Sequence, residues 1–329
     1  RANKVPIKLP ISQGLVLHLL QNWDHDPDHL EILDQFRISA NAIYPFYRDG
    51  KVCLLRFAPI SEKSFASVQS ELDFIAYLRA NDLSVPEPVP AKNGRLLLLC
   101  ETPWGGYTAA AFHRVPGQRL DQIDLEADFF EKYGKNLAQI HLLSQNYLPQ
   151  GERRNSWREQ LDWSEDCLNA FMAHESAHRE LELLRHAFDD LPENAESFGL
   201  VHYDYELDNV FYDMQNDLIS TIDFDDCHYH WFGMDVERTL ANLEEELESE
   251  MVPMAKEGFL KGYQSLIELN PDILEHFAAF QRYAGFIQYV RCLRAVHEPV
   301  GNEPEWMDGL RAYLAGLMQK RMEAFGTEI

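Results

Sequence analysis

The spacing of apolar and polar positions divides the chain into a strand-rich first third and a helical remainder. Residues 35–38, 42–47 and 51–57 read as strands, and Asp49-Gly50 between the last two suits a tight hairpin turn. From 61 to 80 the period lengthens. Phe65, Val68, Leu72, Ile75 and Leu78 recur every three or four residues, which predicts a helix. The run Val85-Pro86-Glu87-Pro88-Val89-Pro90 has to be extended, because each proline restricts itself and the residue before it. Residues 95–101 and 108–115 predict two further strands, ended by Pro116-Gly117. With a helix near 12–23, these elements make residues 1–113 a small β-rich lobe.

Residues 114–329 are mainly helical. Phe129, Tyr133, Leu137, Ile140 and Leu143 share one helical face, and 156–190 predicts one or two helices. Ile273, Phe277, Phe280, Ile287 and Val290 mark one long helix, and Trp306, Leu310, Leu314, Leu317 and Phe325 a last one. Among them lies a β-rich island at 199–224. An isolated hairpin is rarely stable alone, so the island is expected to pack on the helical lobe.

The island concentrates polar groups at the ends of apolar strands. Leu200-Val201 leads into His202-Tyr203-Asp204, Asn209 follows five residues after Asp204, and 218–222 runs into Asp223-Phe224-Asp225-Asp226. Carboxylates so placed are costly unless solvated, paired or metal-bound. An Asp/Asn/Asp oxygen set suits a hard cation such as Mg2+, which takes few carboxylates together with phosphate oxygens and water.

The order H-x-D-x-x-x-x-N, then I-D-F fourteen residues after the Asn, is the catalytic-loop and metal-loop arrangement of kinases. Here it resembles the aminoglycoside phosphotransferase/choline kinase-like family of small-molecule kinases. His202-Tyr203-Asp204…Asn209 is similar to that family's H-G-D-x-x-x-x-N, and Ile222-Asp223-Phe224-Asp225 to its I-D-[FW]-[DE]. Leu137-Ala138-Gln139-Ile140-His141 resembles its L-A-x-L-H helix, Leu54-Leu55-Arg56 its L-R strand end, and Phe112–Gly117 its interlobe hinge.

The resemblance implies a two-lobed, protein-kinase-like α+β fold, with a small antiparallel β-sheet lobe (1–113) and a larger, mainly helical lobe (114–329). It implies an ATP- and Mg2+-dependent phosphotransferase acting on a hydroxyl of a small molecule: an aminoglycoside, a choline-like amino alcohol, homoserine or a sugar. Asp204 would be the base, Asn209 and Asp223 the metal ligands, and Arg56, Glu71 and Arg114 the nucleotide-binding residues. His202 and Asp225 would support these loops. Tyr229, Trp231 and Asp235 would line the acceptor pocket, with Tyr283, Tyr289, Arg291 and Arg294 as further candidates. Two departures stand out: the loop 38–42 has no glycine, and Tyr203 occupies the position of the motif's Gly. The glycine-free loop keeps open an alternative, a nucleotide-binding pseudokinase with a regulatory or structural role.

Composition narrows the partners. The 329 residues hold 29 Lys plus Arg and 54 Asp plus Glu, a formal net charge of −25. Such a chain is repelled by nucleic acid and by anionic membrane surfaces, and it favours a cationic acceptor. Residues 1–10 lack the apolar core of a signal peptide, and five scattered cysteines without C-x-x-C suit a reducing cytoplasm. His141 is expected in a helix interface and the Glu244–Glu250 run on a solvated helix face. Cys227-His228-Tyr229-His230 lacks the further ligands of a transition-metal site.

Overall fold

The computed structural model describes residues 13–34, 37–38, 41–298 and 306–327. Helix α1 (Gln13–Leu20) precedes an antiparallel sheet of six strands: β1 (Arg37–Ile38), β2 (Ala42–Arg48), β3 (Lys51–Pro59), β4 (Pro88–Val89), β5 (Leu97–Thr102) and β6 (Gly105–His113). The spatial order is β1-β2-β3-β6-β4, with β5 also on β6, and helix α2 (Phe65–Ala80) links β3 to β4. One face of the sheet buries Tyr44, Phe46, Leu55 and Phe57 against Leu15, Leu19 and Trp23. On the other, Leu97, Ala110 and Phe112 meet Val68 and Leu72 of α2. Ser64 caps α2 by accepting a hydrogen bond from the Ser67 N–H, so the helix starts at 65 rather than at the expected 61.

The second part begins with β7 (Gln118–Arg119) and α3 (Ala127–Ser144), followed by α4 (Trp157–Ala170) and α5 (Glu175–Asp189). Strands β8 (Phe198–Val201), β9 (Val210–Asp213), β10 (Leu218–Thr221) and β11 (His228–Trp231) come next, then α6 (Gly233–Glu246) and α7 (Val252–Gln264). The chain ends with α8 (Pro271–Glu275), α9 (Phe277–His297) and α10 (Trp306–Met322). Among the described residues, no helix is long and apolar enough to cross a membrane.

Three features differ from the sequence reading. The island is not one hairpin: β9 and β10 pair with each other and β9 also with β7, whereas β8 pairs with β11. The helix expected from 273 onward breaks at His276, so Ile273 lies on the short α8 and packs against Gly233 at the start of α6. The helix α7 is an addition to the expected elements, although Ala255, Phe259 and Tyr263 recur at helical spacing. Of the last helix, the side chains of Trp306 and Leu310 lie outside the described residues, as do Gln35 and Phe36 of the first strand and Ser39 and Ala40 of the glycine-free loop.

The glycines of α7 serve packing. A Cβ on Gly262 would sit 1.9 Å from the Glu131 carbonyl oxygen, and one on Gly134 of α3 would sit 1.9 Å from that of Phe259. The two helices therefore touch backbone to backbone, and Phe129, Phe130, Tyr133 and Leu137 lock with Phe259 and Tyr263 around that contact. Gly134→Ala must push the helices apart and should destabilise the protein by about 1–3 kcal/mol, read as a lower urea midpoint. An unchanged midpoint would show that this contact does not hold the lobe together.

Candidate active site

Two loops meet because of the strand exchange just described. The first, 202–209, leaves β8; the second, 222–227, connects β10 to β11, the partner of β8. Each contains a residue in the left-handed region, Tyr203 at φ 68° and Asp223 at φ 67°. Such a conformation is costly for a bulky side chain, so surrounding contacts must hold it.

At Tyr203 the holding group is Asp235. Its carboxylate accepts the backbone N–H of His202 at 2.7 Å and that of Tyr203 at 2.6 Å. It also meets His141 Nε2 at 2.9 Å, while His141 Nδ1 lies 2.8 Å from the Tyr263 hydroxyl. All of Asp235 is buried; burial raises its pKa, but the hydrogen bonds from His141 and the loop outweigh that and keep it below the usual carboxylate range. The Tyr203 ring is buried between His228 and the Arg238 guanidinium, whose carbon lies 4.6 Å from the ring centre. His202 braces the other side. Its Nδ1 accepts the Asp204 N–H at 3.3 Å, which leaves Nε2–H to donate to the Ile222 carbonyl at 2.9 Å. One imidazole thus ties the first loop to the second.

Asp204 is buried, and the Asn209 amide nitrogen donates to its carbonyl at 2.8 Å and to its carboxylate at 2.9 Å. With its nitrogen so engaged, the Asn209 amide has its oxygen as the atom that would ligate a cation. Asn209 is itself held across the loops, its backbone carbonyl accepting the Ile222 N–H at 2.9 Å. Hard oxygens from Asn209 and Asp223 fit a divalent cation that keeps water and phosphate oxygens as its other ligands. Among the described residues, no cluster of three His, Cys, Asp or Glu side chains is poised to hold a metal.

The β-rich part supplies cations. Arg56 on β3 and Glu71 on α2 form a bidentate pair at 2.8 and 2.7 Å, both buried. Burial disfavours the guanidinium charge, but Glu71, Asp225 and Asp223 together hold it protonated. Lys63 pairs with Asp225 at 2.8 Å, and the Asn41 amide donates to the same carboxylate at 3.0 Å. Burial opposes the Asp225 charge, yet Lys63 and Arg56 keep its pKa low. Arg154 donates to the Ser67, Asp225 and Cys227 carbonyls, bridging α2 and the second loop. Arg114 stands apart: it is exposed on the segment after β6, and no hydrogen bond or ion pair joins its guanidinium to the Arg56–Glu71 pair.

Of the residues expected in the acceptor pocket, Trp231 and Asp235 are fully buried, while Arg291 lines the cleft beside Asp204. Trp231 is fully buried, its indole N–H donating to the Pro192 carbonyl and its ring packed against Trp157, Phe188 and Phe280. Asp235 is consumed in holding the first loop, and Tyr229 lies under Arg153. Trp231 faces the helical core because β11 is a strand of the β8 sheet, and Asp235 is buried on α6, whereas Tyr229 is only half-buried. Of the residues on α9, Tyr283 and Tyr289 are buried, Arg294 pairs with Glu62, and Arg291 makes two 2.9 Å hydrogen bonds to Asp226.

The open cleft beside Asp204 is instead walled by α6 and α9, with Tyr203, Glu206 and Asp226 at its floor. Sequence reading missed Lys63, Glu237 and Arg238. The last two carried a signal: charges at 235, 237 and 238 interrupt an otherwise apolar helical stretch. Glu237 is 8% exposed, and burial pushes its carboxyl up to about 7 despite the neighbouring Arg238.

Two outcomes follow. Asp235→Ala leaves two buried N–H groups unpaired and should cost about 3–5 kcal/mol, seen as a lowered melting temperature; a loss under 1 kcal/mol would place the loop's support elsewhere. For Glu237, the folded pKa lies above the unfolded one, so its contribution is fully favourable below about pH 4.5 and is lost by about pH 7. Relative to Glu237→Gln, the wild type should lose up to about 3 kcal/mol across that window. Parallel stability–pH curves would show that Glu237 is solvated.

Known proteins share this fold. Residues 41–269 match the model of the phosphotransferase enzyme family. The chain is 26% identical over 277 residues to the amicoumacin kinase of Bacillus subtilis (strain 168), covering 78% of this chain and 79% of that protein. A solved structure of an amicoumacin kinase in complex with AMP-PNP and Ca2+ superposes with a TM-score of 0.75 at 22% identity, over 96% of this chain and 95% of that one. The microcompartment-associated aminopropanol kinase gives a TM-score of 0.65 at 20% identity, over 96% and 99%.

Proposed function

The chain belongs to the phosphotransferase enzyme family and is a small-molecule phosphotransferase, and on that premise we propose that it moves the γ-phosphate of ATP, with Mg2+, to a hydroxyl of a small acceptor. The observation that carries the reading is the meeting of Asp204, Asn209 and the 222–227 loop in one buried polar cluster beside an open cleft.

In this reading residues 1–113 form the nucleotide lobe and residues 114–329 the acceptor lobe. Arg56 binds phosphate oxygens, its fork fixed by Glu71 before the nucleotide arrives. Asn209 and Asp223 would hold the cation, which would supply charge neutralisation for the phosphates. Asp225 keeps Lys63 and Asn41 over the same loop. Asp204 accepts the proton of the acceptor hydroxyl, with the Arg238 guanidinium 3.6 Å from its carboxylate. Because the reaction asks mainly for positioning and charge neutralisation, this small set suffices.

ADP release from Mg·ATP should depend on an acceptor within a panel of aminoglycosides, amino alcohols, homoserine and sugars. Asp204→Asn should retain nucleotide binding and lose transfer by about 10²–10⁴-fold, whereas Asp223→Ala should weaken Mg·ATP binding itself. Transfer by Asp204→Asn at the wild-type rate would remove the base assignment.

A further inference from the structure

The residue just before Asp204 is held at a cost. Tyr203 stands in the left-handed region at φ 68°, where the motif's usual glycine would sit without strain. The Asp235 carboxylate fixes that backbone through the His202 and Tyr203 N–H groups, a task that needs no side chain at 203. What the tyrosine adds is a ring and a hydroxyl. The ring is 4% exposed; its centre lies 4.7 Å from that of His228, and the Arg238 guanidinium carbon lies 4.6 Å from it on the face. Arg238 Nε is buried with no hydrogen-bond partner among the described residues, so the electron-rich ring face is its compensation. Tyr203 thus closes the cleft floor and steadies the guanidinium that lies 3.6 Å from Asp204.

The hydroxyl is left over. His228 cannot receive it, because its Nδ1 meets the Asp226 carbonyl at 2.9 Å and its Nε2 the Tyr283 hydroxyl at 3.4 Å. Arg291 is bound twice to Asp226, and Arg238 to Glu206. The Tyr203 hydroxyl makes no hydrogen bond among the described residues, yet it is not one of the sealed polar atoms. It therefore opens on the cleft that Tyr203 lines together with Asp204, Asp226 and Arg291. Burial raises its pKa, so it stays protonated and can donate. The carboxylates of Asp204, Glu206 and Asp226 on the same cleft favour a neutral oxygen as its partner over an anionic one.

We propose that Tyr203 is a specificity-determining residue of the acceptor site, its hydroxyl donating a hydrogen bond to a second oxygen of the acceptor, distinct from the one that is phosphorylated. This rests on the reading of the cleft as the acceptor site of a phosphotransferase, and it adds that the acceptor carries at least two oxygens, as a diol or polyol does. A site with a fixed donor discriminates against the analogue that lacks the matching oxygen, because the donor then loses its partner.

The test uses pairs that differ in the second oxygen: 1,2-propanediol with 1-propanol, 3-amino-1,2-propanediol with 1-amino-2-propanol, and myo-inositol with cyclohexanol. Tyr203→Phe keeps the ring and its contact with Arg238 and removes only the hydroxyl. Two readouts are taken on the full chain with Mg·ATP or Mg·ADP. One is acceptor-dependent ADP release; the other is the 13C resonance of the Tyr203 ring carbon that bears the hydroxyl, identified by its loss in Tyr203→Phe. The oxygen-rich member of each pair should shift that resonance and its partner should not. Tyr203→Phe should raise KM for the oxygen-rich members about three- to tenfold and remove most of their preference over the partners. The proposal is overturned if no oxygen-rich member moves the resonance, or if the partners move it equally. Acceptor-dependent ADP release with the same preference in Tyr203→Phe would sink the proposal and leave the phosphotransfer reading standing. A shift confined to the oxygen-rich members, without ADP release from any pair, would support the subsite while counting against that reading.

Discussion

The Asp235 carboxylate is the constraint on which the site depends. It sits fully inside the helical part, takes two backbone N–H groups from the loop after β8, and is gripped from behind by His141 of α3. A charge removed from water in this way is tolerated only when its lone pairs are satisfied, and here the donors are the very amides that must be held for Tyr203 to stay in the left-handed region. The placement of Asp204 is therefore set by α3 and α6, two elements remote from it in sequence.

The second dependency runs between the two parts of the molecule. Arg56 and Glu71 form a rigid pair in the sheet-and-helix part, while Lys63 and Asn41 reach from there to Asp225 on the opposite loop. Arg154 and the Arg294–Glu62 pair add further ties, and Ser84 hydrogen-bonds to Ser220 at 2.7 Å beside the β9–β10 hairpin. Although the chain carries a net charge of −25, the cations are spent where carboxylates crowd. The acidic surplus stays mostly exposed, as at Glu244, Glu245 and Glu246 at the end of α6.

Much of this was legible in the residues. The H-x-D-x-x-x-x-N and I-D-F runs mark the two loops, and the apolar periods marked α2, α3 and the hairpin of β2 and β3. His141 is in the helix interface expected of it, though it also does more there by holding Asp235. What failed was inference from neighbourhood. Trp231 and Asp235 follow the metal-loop motif closely enough to suggest an acceptor pocket, but the pairing of β11 with β8 turns Trp231 into the core, and Asp235 is buried on α6. The glycines of α7 answer to a contact with α3 that no local window contains.

The sequence by itself determined the chemistry on offer and the local shapes: which carboxylates and amides stand five and fourteen residues apart, where turns fall, and which helical faces are apolar. These are short-range properties, decided by backbone sterics and by periodicity. Only the tertiary structure decided which of the charged groups meet. Lys63 opposite Asp225, Arg56 facing the second loop, and Glu237 in the cleft between α6 and α9 all follow from the pairing of distant strands and the crossing of distant helices. Electrostatic partners are chosen by proximity in space and by burial, and neither is written in the spacing of a single chain.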